Sequence, residues 1–161
     1  MVIIVMGVSG CGKTTVGKLL AERLGLPFYD ADDFHPIENV EKMKSGEPLN
    51  DADRHPWLAS LSWEIEKWNM GSGAVLACSA LKENYRSILR PKDTEEVHFV
   101  YLKGTEELIH NRLKNRKDHY MPPDLLRSQF EALEEPDDAL VVSIEKSPEE
   151  IVDEIVGGLG A

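Results

Sequence analysis

The stretch Gly7-Val8-Ser9-Gly10-Cys11-Gly12-Lys13-Thr14 constrains this chain more than any other. It fits G-x-x-x-x-G-K-[ST] without a mismatch. It lies between an apolar run, Val2-Ile3-Ile4-Val5-Met6, and a segment with helical periodicity beginning Thr15-Val16-Gly17-Lys18. The order is strand, glycine-rich loop, helix. Glycines let backbone N–H groups wrap a polyphosphate, and the helix adds the positive end of its dipole. Lys13 would reach the β- and γ-phosphates as a point charge, and Thr14 would give its hydroxyl to Mg²⁺. Gly7, Ser9, Gly10, Cys11, Gly12, Lys13, Thr14 and Thr15 are therefore the candidate nucleotide-binding residues.

The rest of the chain reads as one domain over 1–161, since that length can bury a core without disulfides or metals. Strands are expected at 2–6, 26–29, 74–78, 97–102 and 140–144. Helices are expected from Gly12 to Leu24, up to Lys44, from Pro56 to Met70, and around Tyr85. Three more follow: one capped by Thr105, one opened by Pro122, and one opened by the capping pattern Ser147-Pro148-Glu149-Glu150. Apolar strands alternating with helices imply a parallel sheet with helices on both faces. The segment 30–58 is polar and rich in turn formers, which suits a substrate-binding excursion.

The formal net charge is −11. A nucleic-acid binder shows the opposite balance, so no nucleic-acid partner is expected. No apolar run is long enough to span a bilayer, so no membrane partner is expected either. Met1 leads straight into a core strand, and the two cysteines, Cys11 and Cys78, form no metal or disulfide pattern. The expected setting is the cytoplasm. Cys11 is read first as a small residue the loop tolerates, and only second as a reactive thiol.

Three constellations could carry chemistry. Asp30 and Asp32 follow the second strand, at the end of the sheet where ligands bind. On an extended chain their side chains share a side, so one carboxylate could hold Mg²⁺ and the other accept a hydroxyl proton. No acidic residue follows strands three and four, which have Ser79 and Lys103 instead. This favours phosphoryl transfer to a small molecule over a nucleotide switch. Arg112 and Arg116 share a helix face and, with Lys117, could close on a transferring phosphoryl group. Arg54, Lys82 and Arg86 could meet a substrate carboxylate, with local ion pairs from Asp51 and Asp53 competing for Arg54. His35 and His119 lie in polar loops and could bond substrate hydroxyls.

Taken in order, several stretches resemble the bacterial-type gluconate kinases within the shikimate-kinase-like P-loop kinases. They are MGVSGCGKTT at 6–15, DADDFHPIENVEKMKSGEPLNDADRHPWL at 30–58, CSALKENYRSILR at 78–90, YLKG at 101–104 and RLKNRKDHYMPPDLLRSQFEALEEP at 112–136. The likeness covers nearly the whole chain, and the second stretch is its most specific part. It implies a three-layer α/β/α sandwich with a five-stranded parallel sheet of order 2-3-1-4-5, a mobile lid near 113–127, and a homodimer. It implies ATP-dependent phosphorylation of D-gluconate at the 6-hydroxyl, with ATP and Mg²⁺. By the same likeness Asp30 is the magnesium-side acid, Asp32 the acid at the substrate hydroxyl, Arg112 the residue against adenine and Arg116 the lid arginine. Lys82 and Arg86 fall on the substrate-facing turn. Asp33 departs from the pattern, which has an apolar residue there. The alternatives are a kinase for another small hydroxy acid or a nucleotide, or a non-catalytic ATP-binding regulator.

Overall fold

The computed structural model describes residues 1–90, 96–115 and 123–160. Strand β1 (Val2–Met6) leads through the glycine loop into α1 (Lys13–Leu24), then β2 (Phe28–Asp30) and a 3-10 helix (Ala31–Phe34). Next come α2 (Ile37–Lys44), α3 (Asp51–Met70), β3 (Ala74–Ala77), α4 (Glu83–Leu89) and β4 (Val97–Lys103). Helices α5 (Glu106–Lys114) and α6 (Pro123–Ala132), strand β5 (Leu140–Ser143) and helix α7 (Pro148–Leu159) complete the order. The sheet has five strands in the order β2-β3-β1-β4-β5, with every pair parallel.

β1 is buried on both sides, which is why it reads as continuously apolar. Its side chains alternate between two cores. Ile3 and Val5 pack with Val16 and Leu20 of α1, Ile109 of α5, and Ile151 and Ile155 of α7. Val2, Ile4 and Met6 pack with Trp57, Leu61 and Ile65 of α3 and Leu89 of α4. Two aromatics of α3 join this second core: Trp57 is buried, and the partly buried Trp68 stacks on Tyr29 at 4.3 Å.

Local end signals act as expected at three helices. Gly25 ends α1 at φ 68°, Thr105 Oγ1 accepts from Leu108 N at 3.1 Å, and Ser147 and Glu150 form a reciprocal capping box. The start of α3 differs from expectation. Asn50 and Asp53 form a capping box that begins the helix at Asp51, so Pro56 sits inside it rather than at its first position. Two satisfied N-terminal donors outweigh the single i→i−4 bond that Pro56 removes. The segment 30–58 accordingly carries the 3-10 helix, α2 and the first turns of α3, with residues 45–50 between the two helices outside regular structure. The lid expected near 113–127 includes residues 116–122, which lie outside the described residues, as do Arg116, Lys117 and His119.

Candidate active site

The phosphate loop closes on itself before any ligand is considered. Gly12 takes φ 97° as the N-cap of α1, and Gly10 takes φ 84°. A Cβ on Gly10 would come within 2.8 Å of Leu113 Cγ, so both backbone angle and packing require glycine there. Lys13 Nζ donates to the carbonyls of Gly7 at 2.9 Å and Val8 at 3.0 Å, holding its charge over the loop. Thr14 and Thr15 are exposed at the first turn of α1. Cys11 is 1% exposed, and burial pushes its thiol up despite the nearby charge of Lys13. That favours the small-residue reading over a reactive thiol. Arg112 is half-buried, donates to the carbonyl of Ile144, and its charge reaches Cys11, which puts it beside the loop.

The acids reach the same rim through strand order. Asp30 is in register with Ala77, and Ala77 with Val5, so the ends of β2, β3 and β1 lie side by side. The extended geometry expected for Asp30 to Asp32 does not hold. The chain turns into the 3-10 helix at Ala31, and Asp30 Oδ1 caps that turn by accepting from Asp32 N at 3.0 Å. A capping carboxylate stabilises the turn more than extension would, because it satisfies an otherwise unpaired N–H. Asp32 nonetheless feels the charges of Asp30 and Lys13 together.

Asp32 has a pKa above the usual aspartate value. Surrounding protein is the main cause, the charge of Asp30 the second, while His35 and Lys13 pull the other way and Asp33 adds a little. Its side chain is 85% exposed, so the nearby charge of Asp30 is the firmer of these causes. Like charges close together resist ionisation, which is the direction in which Asp30 and Asp33 push. Cys78, buried at the end of β3, has its thiol pushed up to about 12 by burial and stays protonated.

His35 is not a loop histidine facing solvent. Its side chain is 4% exposed and stacks on Trp57 at 4.2 Å, with the rings 14° from parallel. Burial lowers its pKa, Asp32 opposes that and Arg54 adds to it, so the ring is neutral at neutral pH. Asn39, itself buried, sets the tautomer. Its amide nitrogen donates to Asp53 O at 2.8 Å and lies 3.2 Å from His35 Nδ1. Nδ1 is then the acceptor, and Nε2 carries the proton 4.0 Å from Asp32 Oδ1.

Beyond His35 lies a mixed-charge group. Tyr85 donates its hydroxyl to Asp51 Oδ1 at 2.6 Å, and Arg54 Nη1 donates to Tyr85 Oη at 3.4 Å. Arg54 and Lys82 lie over the Tyr85 ring at 5.7 Å and 5.8 Å. The Tyr85 hydrogen bond, and then the Lys82 charge, hold Asp51 below its usual range.

Arg86, expected among the substrate contacts, is 2% exposed and fully engaged elsewhere. It donates to Ala80 O and Glu134 O at 2.7 Å each and pairs with Glu83 at 3.1 Å. Ala80 takes φ 44°, a left-handed angle unusual for a residue with a Cβ. Arg86 thus braces the turn after β3 instead of facing into the site. Sequence reasoning did not single out Asn39 or Gln129, and placed Tyr85 only in a helix. Gln129 Oε1 accepts from Ser9 N at 2.8 Å, and its Nε2 donates to Ser9 Oγ at 3.0 Å. No local pattern announces a contact across 120 residues.

A nucleotide loop joined to an acid pair and a cationic flank fits a small-molecule kinase, and comparison with known proteins agrees. A family model described as shikimate kinase matches residues 9–159. The chain belongs to the shikimate kinase family. Among relatives, the kinase is 48% identical to a gluconokinase of Gluconobacter oxydans, over 96% of this chain and 88% of that one. It is 46% identical to a probable gluconokinase of Xenopus tropicalis, over 98% of this chain and 92% of that one. The solved structure of a gluconokinase from Sinorhizobium meliloti superposes with a TM-score of 0.89 at 42% identity, covering 99% of this chain and 91% of that one.

Proposed function

We propose that this kinase transfers the γ-phosphoryl group of ATP to the 6-hydroxyl of D-gluconate, giving 6-phospho-D-gluconate and ADP. One observation carries the reading beyond the names of its relatives: Asp32, His35 and Arg54 form one electrostatically linked series starting at the phosphate loop. An aldonate has a primary hydroxyl at one end and a carboxylate at the other. Asp32 would take the hydroxyl proton as that oxygen bonds the γ-phosphorus and the bond to the β-phosphate oxygen breaks. Its raised pKa makes it a stronger base. His35 Nε2–H would bond a substrate hydroxyl. Arg54 and Lys82 would hold the carboxylate, since a chain of net charge −11 must build its anion site from local cations.

Mg²⁺ suits the oxygens present. No group of three or more His, Cys, Asp or Glu among the described residues could hold a metal ion. The ion would therefore take most ligands from phosphates and water, with the Thr14 hydroxyl and the Asp30 carboxylate as protein partners. When bound, it neutralises charge on the transferring group. In this reading the loop residues Gly7 to Thr15 bind nucleotide and Arg112 lies against adenine. Arg116 and His119 act from a lid near 113–127, and the excursion at 30–58 carries the acceptor contacts. The protein is a single-domain cytoplasmic homodimer. Free, buried Cys11 and Cys78 suit the reducing setting, and no helix among the described residues is long and apolar enough to cross a membrane.

A coupled ADP-release assay across gluconate, other aldonates, shikimate and nucleoside monophosphates tests this. Gluconate should give the highest kcat/KM. Turnover of another acceptor with none of gluconate would overturn the substrate assignment.

A further inference from the structure

Ser9 is a loop residue whose backbone donor is taken by a distant side chain, as that of Gly7 is taken by the Ser79 carbonyl at 3.3 Å. Gln129 on α6 meets it with two opposed hydrogen bonds, Ser9 N to Oε1 at 2.8 Å and Nε2 to Ser9 Oγ at 3.0 Å. The orientation of the amide is unambiguous, because only its oxygen can accept from a backbone N–H. The Ser9 hydroxyl is then an acceptor toward Gln129 and retains its single proton for another partner. Lys13 holds the carbonyls of Gly7 and Val8, the two residues before Ser9. The loop is thus tied by its own lysine on one side and by α6 on the other.

The same stretch of chain reaches the acceptor side. Leu133 N bonds Gln129 O at 2.9 Å, and the next residue, Glu134, is stapled to the turn after β3. Glu134 N donates to Leu81 O at 2.8 Å, its Oε1 accepts from Glu83 N at 2.8 Å, and its carbonyl accepts from Arg86. Residues 129–134 therefore join the phosphate loop to the turn that carries Lys82.

We infer that Gln129 is a positioning residue of the phosphate loop: it fixes Ser9 so that the hydroxyl donates its proton to a phosphate oxygen of ATP. This rests on the ATP-dependent reading above, but not on the identity of the acceptor. Gln129→Glu is the discriminating change. The carboxylate still accepts from Ser9 N, but it cannot donate, so it also takes the hydroxyl proton and turns the hydroxyl away from ATP.

The test is a double-mutant cycle on the Kd of MgATP, measured by titration calorimetry without acceptor, using Gln129→Glu, Ser9→Ala and the pair. A hydrogen bond to a charged group is worth roughly a ten- to hundredfold change in affinity, so Gln129→Glu should weaken ATP binding by about tenfold or more. In the Ser9→Ala background most of that loss should disappear. Repulsion by the added carboxylate acts in both backgrounds and cancels from their ratio. With gluconate present, KM for ATP should rise while KM for gluconate stays put. Gln129→Met, which adds no charge, gives a second cycle with the same expectation. Equal losses in the two backgrounds, or an unchanged Kd for both variants, would overturn the inference. Absence of gluconate turnover in the unmutated protein would instead count against the proposed reaction.

Discussion

Replacing Arg86 by methionine tests whether its guanidinium supports the fold or touches substrate. Methionine keeps the packing volume of the stem and removes every donor. The Ala80 and Glu134 carbonyls, each bonded at 2.7 Å, would then lose their charged partner. Leaving the buried Ala80 carbonyl unpaired costs about 1–3 kcal/mol, while the carbonyl of Glu134, an exposed residue, regains water and adds less. Glu83 adds little, because its side chain is 57% exposed and regains water. Against a total stability of about 5–15 kcal/mol this is a large loss. For a chain of this size it lowers Tm by roughly 2–12 °C. Urea unfolding followed by circular dichroism gives the loss directly, and steady-state kinetics well below the new Tm gives the functional side. Arg86→Lys should fall between, because one ammonium cannot hold both carbonyls in the same geometry. A methionine variant as stable as the native protein, with KM for gluconate raised tenfold or more, would refute the argument and return Arg86 to the substrate.

Two further predictions concern Asp32 and the start of α3. Asp32→Asn should lower kcat about 10²–10⁴-fold with ATP affinity nearly unchanged; a loss confined to ATP binding would place the base elsewhere. Asp32 must be ionised to accept a proton, and its pKa is raised, by burial first and then by Asp30 and Asp33. Activity should therefore fall at a higher pH than an ordinary aspartate would give. Asp33→Asn removes the smallest of the raising charges and should move that acid limb slightly to lower pH; a limb that moves to higher pH would speak against Asp32 as the group it reports. Asn50→Ala removes half of the α3 capping box and should cost about 1 kcal/mol, read as a small drop in Tm with kcat unchanged.

The phosphate loop, strand alternation and helix caps were legible because each is local. Glycine spacing, short apolar runs and a Ser or Thr three residues before its partner act within one turn or one strand. The Asn50 and Asp53 box was present in the sequence too, but the pull of Pro56 toward a first-turn position led to a later start. The Asp30–Asp32 geometry needed the structure, since whether the chain extends or turns at Ala31 depends on one side-chain bond.

The division follows from range. The sequence alone determined that a strand, a glycine-rich loop and a helix would build an anion cradle, and that two acids would stand at the end of the next strand. Only the tertiary structure decided how similar residues divide the work. Lys82 and Arg86 are four apart in one segment, yet one lies over Tyr85 and the other is buried under the turn. His35 became a neutral donor through Asn39 and Trp57, and Ser9 was oriented by Gln129 from the far end of the chain. Such assignments depend on which partner a side chain meets across the fold, and a linear pattern carries no record of that distance.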